Sequence, residues 1–377
     1  MPILVIFVLV IISVSTGKNQ AFAQQLKSYH ETIRSLGMGG VRVANEHLGI
    51  SFVWNPAYLG INSGFNLEIF DAGLGINGLQ AYNNFSNINW GGGLSALSGL
   101  YGKPLWVGAW GWAALSWYRY GAYYLHGYDL SAMLKDPGMP SLDVSYYDDE
   151  FYIIGFGYPI NDQFSVGINL KRVERVGGDL NFSTTQLLDP NFTNDIVNNI
   201  KNSITNSGQA FGLDVGVMYH LKNSWNPRVS LAIQDWGHTS FAVNSGQKLK
   251  PIRENVIFTS TFERSFYGFG LTGGLEYRHI LNNEEQLGKK IHLGAEVQLL
   301  FLDLRAGLYQ GYNAYGLGVS FWLLNLDLAW YSQEMGVYSG QTPQERVVLS
   351  LNMDVSLDPD FRLRDEKGEK RKLFRRR

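Results

Sequence analysis

KKIHLGAEVQLLFLDLRAGLYQGYNAYGLGVSFWLLNLDLAWY, residues 289 to 331, is the stretch whose reading decides the fold. Ile291, Leu293, Ala295, Val297 and Leu299 place an apolar side chain on every second residue, with His292, Gly294, Glu296 and Gln298 between them. Period two means a strand with one oily face. The pattern returns in Leu302, Leu304, Ala306 and Leu308, again in Tyr315, Leu317, Val319 and Phe321, and again in Leu324, Leu326, Leu328 and Trp330. Four strands thus follow one another with almost no linker. Their second faces carry Glu296, Asp303, Arg305, Ser320, Asn325 and Asp327 among glycines, so that side is polar and thinly filled. A soluble sandwich would turn the oily faces toward each other, and a membrane barrel would turn them outward. The alternation alone fits both.

Composition moves the balance toward a barrel. Mean hydropathy is only -0.11 over 377 residues, and no long apolar run follows the N-terminus, which excludes membrane helices from the mature chain. Aromatic residues reach 14% and glycines number 43, a mixture suited to strands, interfacial girdles and a crowded lumen. With no cysteine there is no disulfide framework, thiolate metal site or lipidated cysteine, and a net charge of -2 gives no case for nucleic-acid binding. Ile3 to Val14 form an apolar core too short to span a bilayer, and Ala21-Phe22-Ala23 offers a small-x-small cleavage site. Residues 1–23 therefore read as a secretory signal peptide, although no Lys or Arg precedes the apolar core. An exported chain of alternating strands points to the outer membrane.

Residues 24–63 break every strand-length pattern at Gly37, Gly39, Gly40, Asn55, Pro56 and Gly60. Gly39 and Gly40 permit positive φ or close backbone approach, and Asn55 before Pro56 is a turn initiator. Leu36-Gly37-Met38-Gly39-Gly40-Val41-Arg42-Val43-Ala44, followed by Trp54-Asn55-Pro56-Ala57-Tyr58-Leu59, is similar to the N-terminal signature of the FadL-like and PorV-like outer-membrane proteins. Asn45-Glu46-His47 departs from the acidic pair often found between these motifs. Leu249-Lys250-Pro251, Gly294-Ala295-Glu296, Leu304 to Leu308 and Leu326 to Ala329 resemble PorV-like strand motifs. The resemblance implies a small N-terminal plug, or hatch, inside a barrel of fourteen strands. It also implies two functions: a channel for small hydrophobic molecules, or an accessory barrel that binds partner or secreted proteins and transports nothing.

The expected fold is an all-β outer-membrane barrel of about 14 antiparallel strands: signal peptide 1–23, plug 24–63, barrel 64–356 and basic periplasmic tail 357–377. The strands are expected at 64–74, 88–98, 104–120, 143–158, 162–176, 210–221, 227–235, 252–264, 268–280, 289–300, 302–311, 313–322, 324–334 and 345–356. Long connections, 121–142 and 177–209 among them, mostly alternate with tight turns, as outer loops and periplasmic turns do. The tight connection at Gly311 to Asn313 is the exception.

Within 177–209, Phe192, Ile196, Ile200 and Ile204 repeat every fourth residue, a helical stripe that either caps the barrel mouth or lines an entry site for an apolar ligand. Trp106, Trp110, Trp112 and Trp117, with Tyr118, Tyr120, Tyr123 and Tyr124, read either as an interfacial girdle or as an aromatic wall along a ligand path. Lys171, Asp214, Glu276, Arg278, Glu296, Arg305 and Asp327 should face inward, with both signs present to pair with one another or with the plug; a Glu296→Gln exchange, on the face opposite lipid, should be mild. Glycine patterns at Gly73, Gly75 and Gly78 and at Gly268, Gly270 and Gly273 lack the strand-turn-helix setting of a phosphate cradle. The seven histidines show no metal-ligand spacing, and no Gly-x-Ser-x-Gly elbow occurs. Neither enzyme activity nor a cofactor or metal is expected. The expected partners are outer-membrane lipid, a hydrophobic small molecule and other proteins.

Overall fold

The computed structural model describes residues 30–43, 49–62, 64–77, 101–135, 138–187, 198, 205–321, 323–336 and 338–357. The signal segment, the Asn45-Glu46-His47 variation, the strand expected at 88–98, the stripe Phe192, Ile196, Ile200 and Ile204, and the basic tail beyond Leu357 lie outside these residues.

Among the described residues, fifteen strands form one antiparallel sheet: β1 (Phe65–Asn77), β2 (Leu105–Trp117), β3 (Tyr120–Lys135), β4 (Ser141–Pro159), β5 (Phe164–Phe182), β6 (Ser207–His220), β7 (Arg228–Gln234), β8 (Ala242–Ser245), β9 (Asn255–Phe266), β10 (Phe269–Tyr277), β11 (Ile291–Gln298), β12 (Leu302–Tyr309), β13 (Tyr312–Phe321), β14 (Leu324–Glu334) and β15 (Pro343–Leu357). The short β8 pairs only with the outer end of β6. The other fourteen are bonded along both edges, and β1 against β15 closes the cylinder. Closure leaves no open edge, which a backbone in lipid requires.

The strand count matches the expectation, but one member differs. Where 121–142 was expected as an outer connection, β3 runs from Tyr120 to Lys135, turning tightly from β2 through Tyr118, whose φ is 49°. Both faces of β3 carry aromatic and small residues, Tyr123 and Leu125 inward and Tyr124 and Tyr128 outward, so hydropathy does not alternate. β1 pairs directly with β2, so the fourteen-strand closure is complete among the described residues. The tight turn at Gln310 and Gly311 is a hairpin with both φ positive, 52° and 89°. The 335–342 connection folds over it, and Ser339 Oγ donates to the Gln310 carbonyl at 2.8 Å.

The oily rows face out. Leu293 is 39% exposed while Glu296, on the other face of β11, is fully buried. Aromatic pairs mark two borders of the outward apolar band: Phe266 with Phe269 and Trp117 with Tyr118 at the turn side, Tyr315 with Trp330 and Tyr124 with Tyr152 at the other. Interfacial rings of this kind bound the hydrocarbon layer. Beyond Tyr152 the outward face of β4 becomes polar at Glu150 and Asp148, yet β3, β4 and β5 continue to 16, 19 and 19 residues. Since ~9–11 residues cross a bilayer, this side of the barrel stands above the membrane. There its apolar side chains Leu134, Val144 and Phe182 pack against Leu187 of the helical turn Thr184–Leu187 rather than against lipid.

The N-terminal segment contains α1 (Ile33–Gly37), α2 (Ser51–Trp54) and a 3-10 turn (Pro56–Gly60). Thr32 caps α1 by accepting from the Ser35 amide, and Asn55 caps the 3-10 turn by accepting from the Ala57 amide at 2.9 Å. α1 rests on β12 to β15 and the 3-10 turn on β4 to β6, on opposite sides of the lumen.

Candidate functional site

Two ionic docks fix this segment to the wall. Glu296 accepts from Arg34 Nε at 3.0 Å and Nη2 at 2.6 Å, and also from Arg305 Nε at 2.6 Å; Arg305 reaches on to Asp327 at 2.6 Å. Glu276 accepts from Arg42 Nε at 2.8 Å and Nη2 at 2.5 Å, and from Arg278 Nε at 2.6 Å; Arg278 also binds Glu31. Each wall carboxylate therefore holds one guanidinium from the wall and one from the segment. In a buried site such bidentate contacts are stronger and more directional than neutral hydrogen bonds. A third cluster, Lys171 with Asp214 at 2.7 Å and Asp235 at 2.9 Å, sits under β6 and β7. The inward, mutually paired charges expected from the sequence are thus found in place.

The glycine and Asn-Pro-Ala residues divide between two walls. Gly37 lies where an added Cβ would come 2.8 Å from the Gly316 Cα, and Gly39 and Gly40 take φ of 67° and 89° where the chain turns under His292. His292 Nδ1 is 2.8 Å from the Gly39 carbonyl. On the other side, Asn55 Nδ2 donates to the Val217 and Leu231 carbonyls at 3.2 Å, Pro56 starts the 3-10 turn against Gly167, and the Ala57 carbonyl accepts from Ser165 Oγ at 2.8 Å. Both motifs anchor backbone to barrel wall, and Leu36 at the start of the first also lines the cavity described next.

Outward of the segment, under the loop-side half of β2 to β4 and β12 to β15, lies a luminal cavity of about 170 Å³. Trp106, Trp110, Trp112, Phe151, Tyr309 and Tyr331 line it, with Glu31, Asp129, Asp149 and Arg346 at its polar edges. Three of the four β2 tryptophans therefore point into the lumen, and only Trp117, 51% exposed, faces lipid. Trp117, Tyr118, Tyr120 and Tyr124 face outward as the girdle reading has it, whereas Trp106, Trp110 and Trp112 line the luminal cavity and Tyr123 packs inward on His30. The indoles lie flat because Gly73 and Gly75 of β1 leave room: a Cβ on Gly73 would come 2.4 Å from Trp110, and one on Gly75 2.4 Å from Trp106. The glycine pattern at Gly73 and Gly75, unfit for phosphate, thus seats tryptophans.

Each charge at the cavity edge has a protein contact. Asp149 is held by Arg175 Nε at 2.6 Å, and Glu31 by Arg278. Asp129 accepts from Trp106 Nε1 at 2.7 Å, and the Arg346 guanidinium lies 4.1 Å above the centre of the same indole. Burial, together with the charges of Lys171 and Arg42, holds the His30 imidazole well below its usual value, so His30 is neutral beside Tyr123, 3.2 Å away. Sequence reasoning did not single out Arg34, Asp129, Tyr309 or Arg346. One signal was available, since Gln344, Arg346, Ser350 and Asn352 recur on one face of β15. Among the described residues no group of three or more His, Asp or Glu is placed to hold a metal ion.

The class of protein this defines is a membrane-spanning β-barrel whose lumen holds the chain's own N-terminal segment beneath an aromatic cavity. No protein-family model and no curated protein matches the chain. Among solved structures, it is similar to the Pseudomonas putida toluene transporter TodX, at 11% identity and a TM-score of 0.46 over 90% of this chain and 99% of that one. It is also similar to the CymD monoaromatic hydrocarbon channel, at 13% identity and a TM-score of 0.44 over 86% and 97%. The Ralstonia pickettii toluene transporter TbuX aligns at 11% identity and a TM-score of 0.43 over 85% and 97%.

Proposed function

We propose that the protein is an outer-membrane channel for uptake of small hydrophobic molecules, with residues 24–63 as a plug that must shift for cargo to pass. The observation that carries this is the aromatic cavity enclosed in a lipid-facing barrel: tryptophan and tyrosine faces turned away from lipid offer an apolar stopping place within a polar lumen. Cargo enters from the loop side, rests on the indoles, and meets the segment docked through Arg34 and Arg42. The stripe Phe192, Ile196, Ile200 and Ile204, in the sequence between β5 and β6, is proposed as the first contact for cargo. The cargo class coincides with the one named for those channels.

Proteoliposomes carrying the full chain should take up toluene several-fold faster than empty vesicles. Uptake at the empty-vesicle rate, with residues 24–63 intact and again with them deleted, overturns the proposal.

A further inference from the structure

We infer that Arg264, at the turn-side border of the lipid-facing wall, holds the phosphate of an anionic glycerophospholipid, with Lys222 as the second cation of the same site. The site is on the outer face of the barrel and is independent of any cargo. Arg264 continues the outward row Phe258, Ser260 and Phe262 of β9 and precedes Phe266, whose stack on Phe269 marks the edge of the apolar band. Its stem starts within that band and its head runs to the border, where the guanidinium lies 4.4 Å from the centre of the Trp225 ring and 4.8 Å from that of Phe266. Long basic side chains reach lipid headgroups in this way. The seat is fixed before a lipid arrives. The Trp225 amide donates to Asn223 Oδ1 at 2.9 Å, the Trp225 carbonyl accepts from the Glu263 amide at 3.0 Å, and the indole meets Phe262 edge to face at 5.7 Å.

Charge decides the ligand. The two rings attract the guanidinium through their faces and neutralise nothing. Among the described residues Arg264 has no hydrogen bond and no carboxylate within 4.0 Å, so its planar set of donors stays open. Lys222, exposed at the head of the turn that carries Trp225, has no ion pair among them either. That turn, 221–227, contains no acid. Of the two carboxylates on β9 and β10, Glu263 is held by Arg228 Nη1 at 2.6 Å and Glu276 is buried in the lumen. Two cations with no acid between them favour an anion, guanidinium donors in one plane favour phosphate oxygens, and a place at the edge of hydrocarbon favours an anion carried on acyl chains. Phe262 and Leu271, the partner of Arg264 on β10, give those chains an apolar bed. A zwitterionic headgroup would bring its own ammonium against Lys222, and a lipid without phosphate would leave Arg264 unanswered.

Native mass spectrometry of the detergent-solubilised full chain tests this with phosphatidylglycerol, phosphatidylcholine and diacylglycerol of identical acyl chains. Phosphatidylglycerol should bind about fivefold or more tighter than phosphatidylcholine, and diacylglycerol should bind weakest. Arg264→Gln should remove most of that preference and Lys222→Gln a part of it. Arg264→Lys, which keeps the charge without the planar donors, should fall between Arg264→Gln and the unaltered chain. Arg172→Gln, at the other border and paired with Glu174, should leave the preference alone. Equal binding of phosphatidylglycerol and phosphatidylcholine by the unaltered chain overturns the inference, and that comparison involves no variant. A preference that survives Arg264→Gln in a chain still running as a heat-modifiable barrel overturns it too. Loss of the preference to the same extent in Arg172→Gln would trace it to the summed charge of the barrel, and the assigned site would fall.

Discussion

Leu293 and Glu296 lie three positions apart on β11 and answer to different surroundings. Leu293 faces lipid, so Leu293→Arg near the middle of the apolar band should cost ~2–4 kcal/mol, measured by urea unfolding from lipid vesicles. Tolerance within a few tenths would refute the assigned facing. Glu296→Gln was expected to be mild for a residue beside a watery bore. The structure reverses that, because Glu296 is fully buried between Arg34 and Arg305. Removing one charge of a buried ionic cluster leaves the others uncompensated, and ~3 kcal/mol of destabilisation is the expected outcome of the same measurement. Period two told which way Glu296 points; it could not tell what Glu296 meets, since Arg34 is 262 residues away. Gly75→Val tests the cavity wall at the same scale. The added methyls collide with the Trp106 ring and push it into the cavity, so toluene binding should fall about tenfold or more while the barrel still folds. Unchanged binding in a folded variant would show that the indole position is irrelevant to cargo.

At the scale of elements, what alternates in hydropathy was legible and what does not was missed. β11 to β14 could be read from the sequence because lipid demands apolar side chains on one face and the ionic clusters demand polar ones on the other. β3 could not. Its inward Tyr123 packs on the N-terminal segment through His30, and its upper half rises beyond the lipid, so neither face has a uniform solvent to reveal it. Long-range context of that kind is absent from a local pattern. The cavity was half legible: the cluster of tryptophans on β2 was visible, but the direction of each ring depends on Gly73 and Gly75 of the neighbouring strand. Direct pairing of β1 with β2 also makes residues 82–98 dispensable for closure, because Asn77 Nδ2 already reaches the Pro104 carbonyl at 3.0 Å. Replacing that span by a short Gly/Ser link should leave a heat-modifiable barrel on unboiled gels. Loss of that form would return a wall strand to 88–98.

At the scale of the whole molecule, the proposed plug role asks how the N-terminal segment can be seated on the wall and still leave its seat. Each wall carboxylate that grips the N-terminal segment also keeps a wall arginine, Arg278 for Glu276 and Arg305 for Glu296. Withdrawing Arg42 and Arg34 would therefore leave neither carboxylate without a cation, and the wall remains electrostatically complete with the segment loosened. This separates the stability of the barrel from the seating of the segment. The combined Arg34→Gln and Arg42→Gln variant should keep the heat-modifiable barrel, because the wall pairs persist. Its segment should become sensitive to protease. Each dock lost removes ~1.5–3 kcal/mol of charge-assisted bonding from the seated state, so the displaced state gains population and toluene uptake by proteoliposomes should rise several-fold over the unaltered chain. A barrel that folds, exposes the segment to protease and yet shows no faster uptake would mean that cargo does not pass by way of the segment.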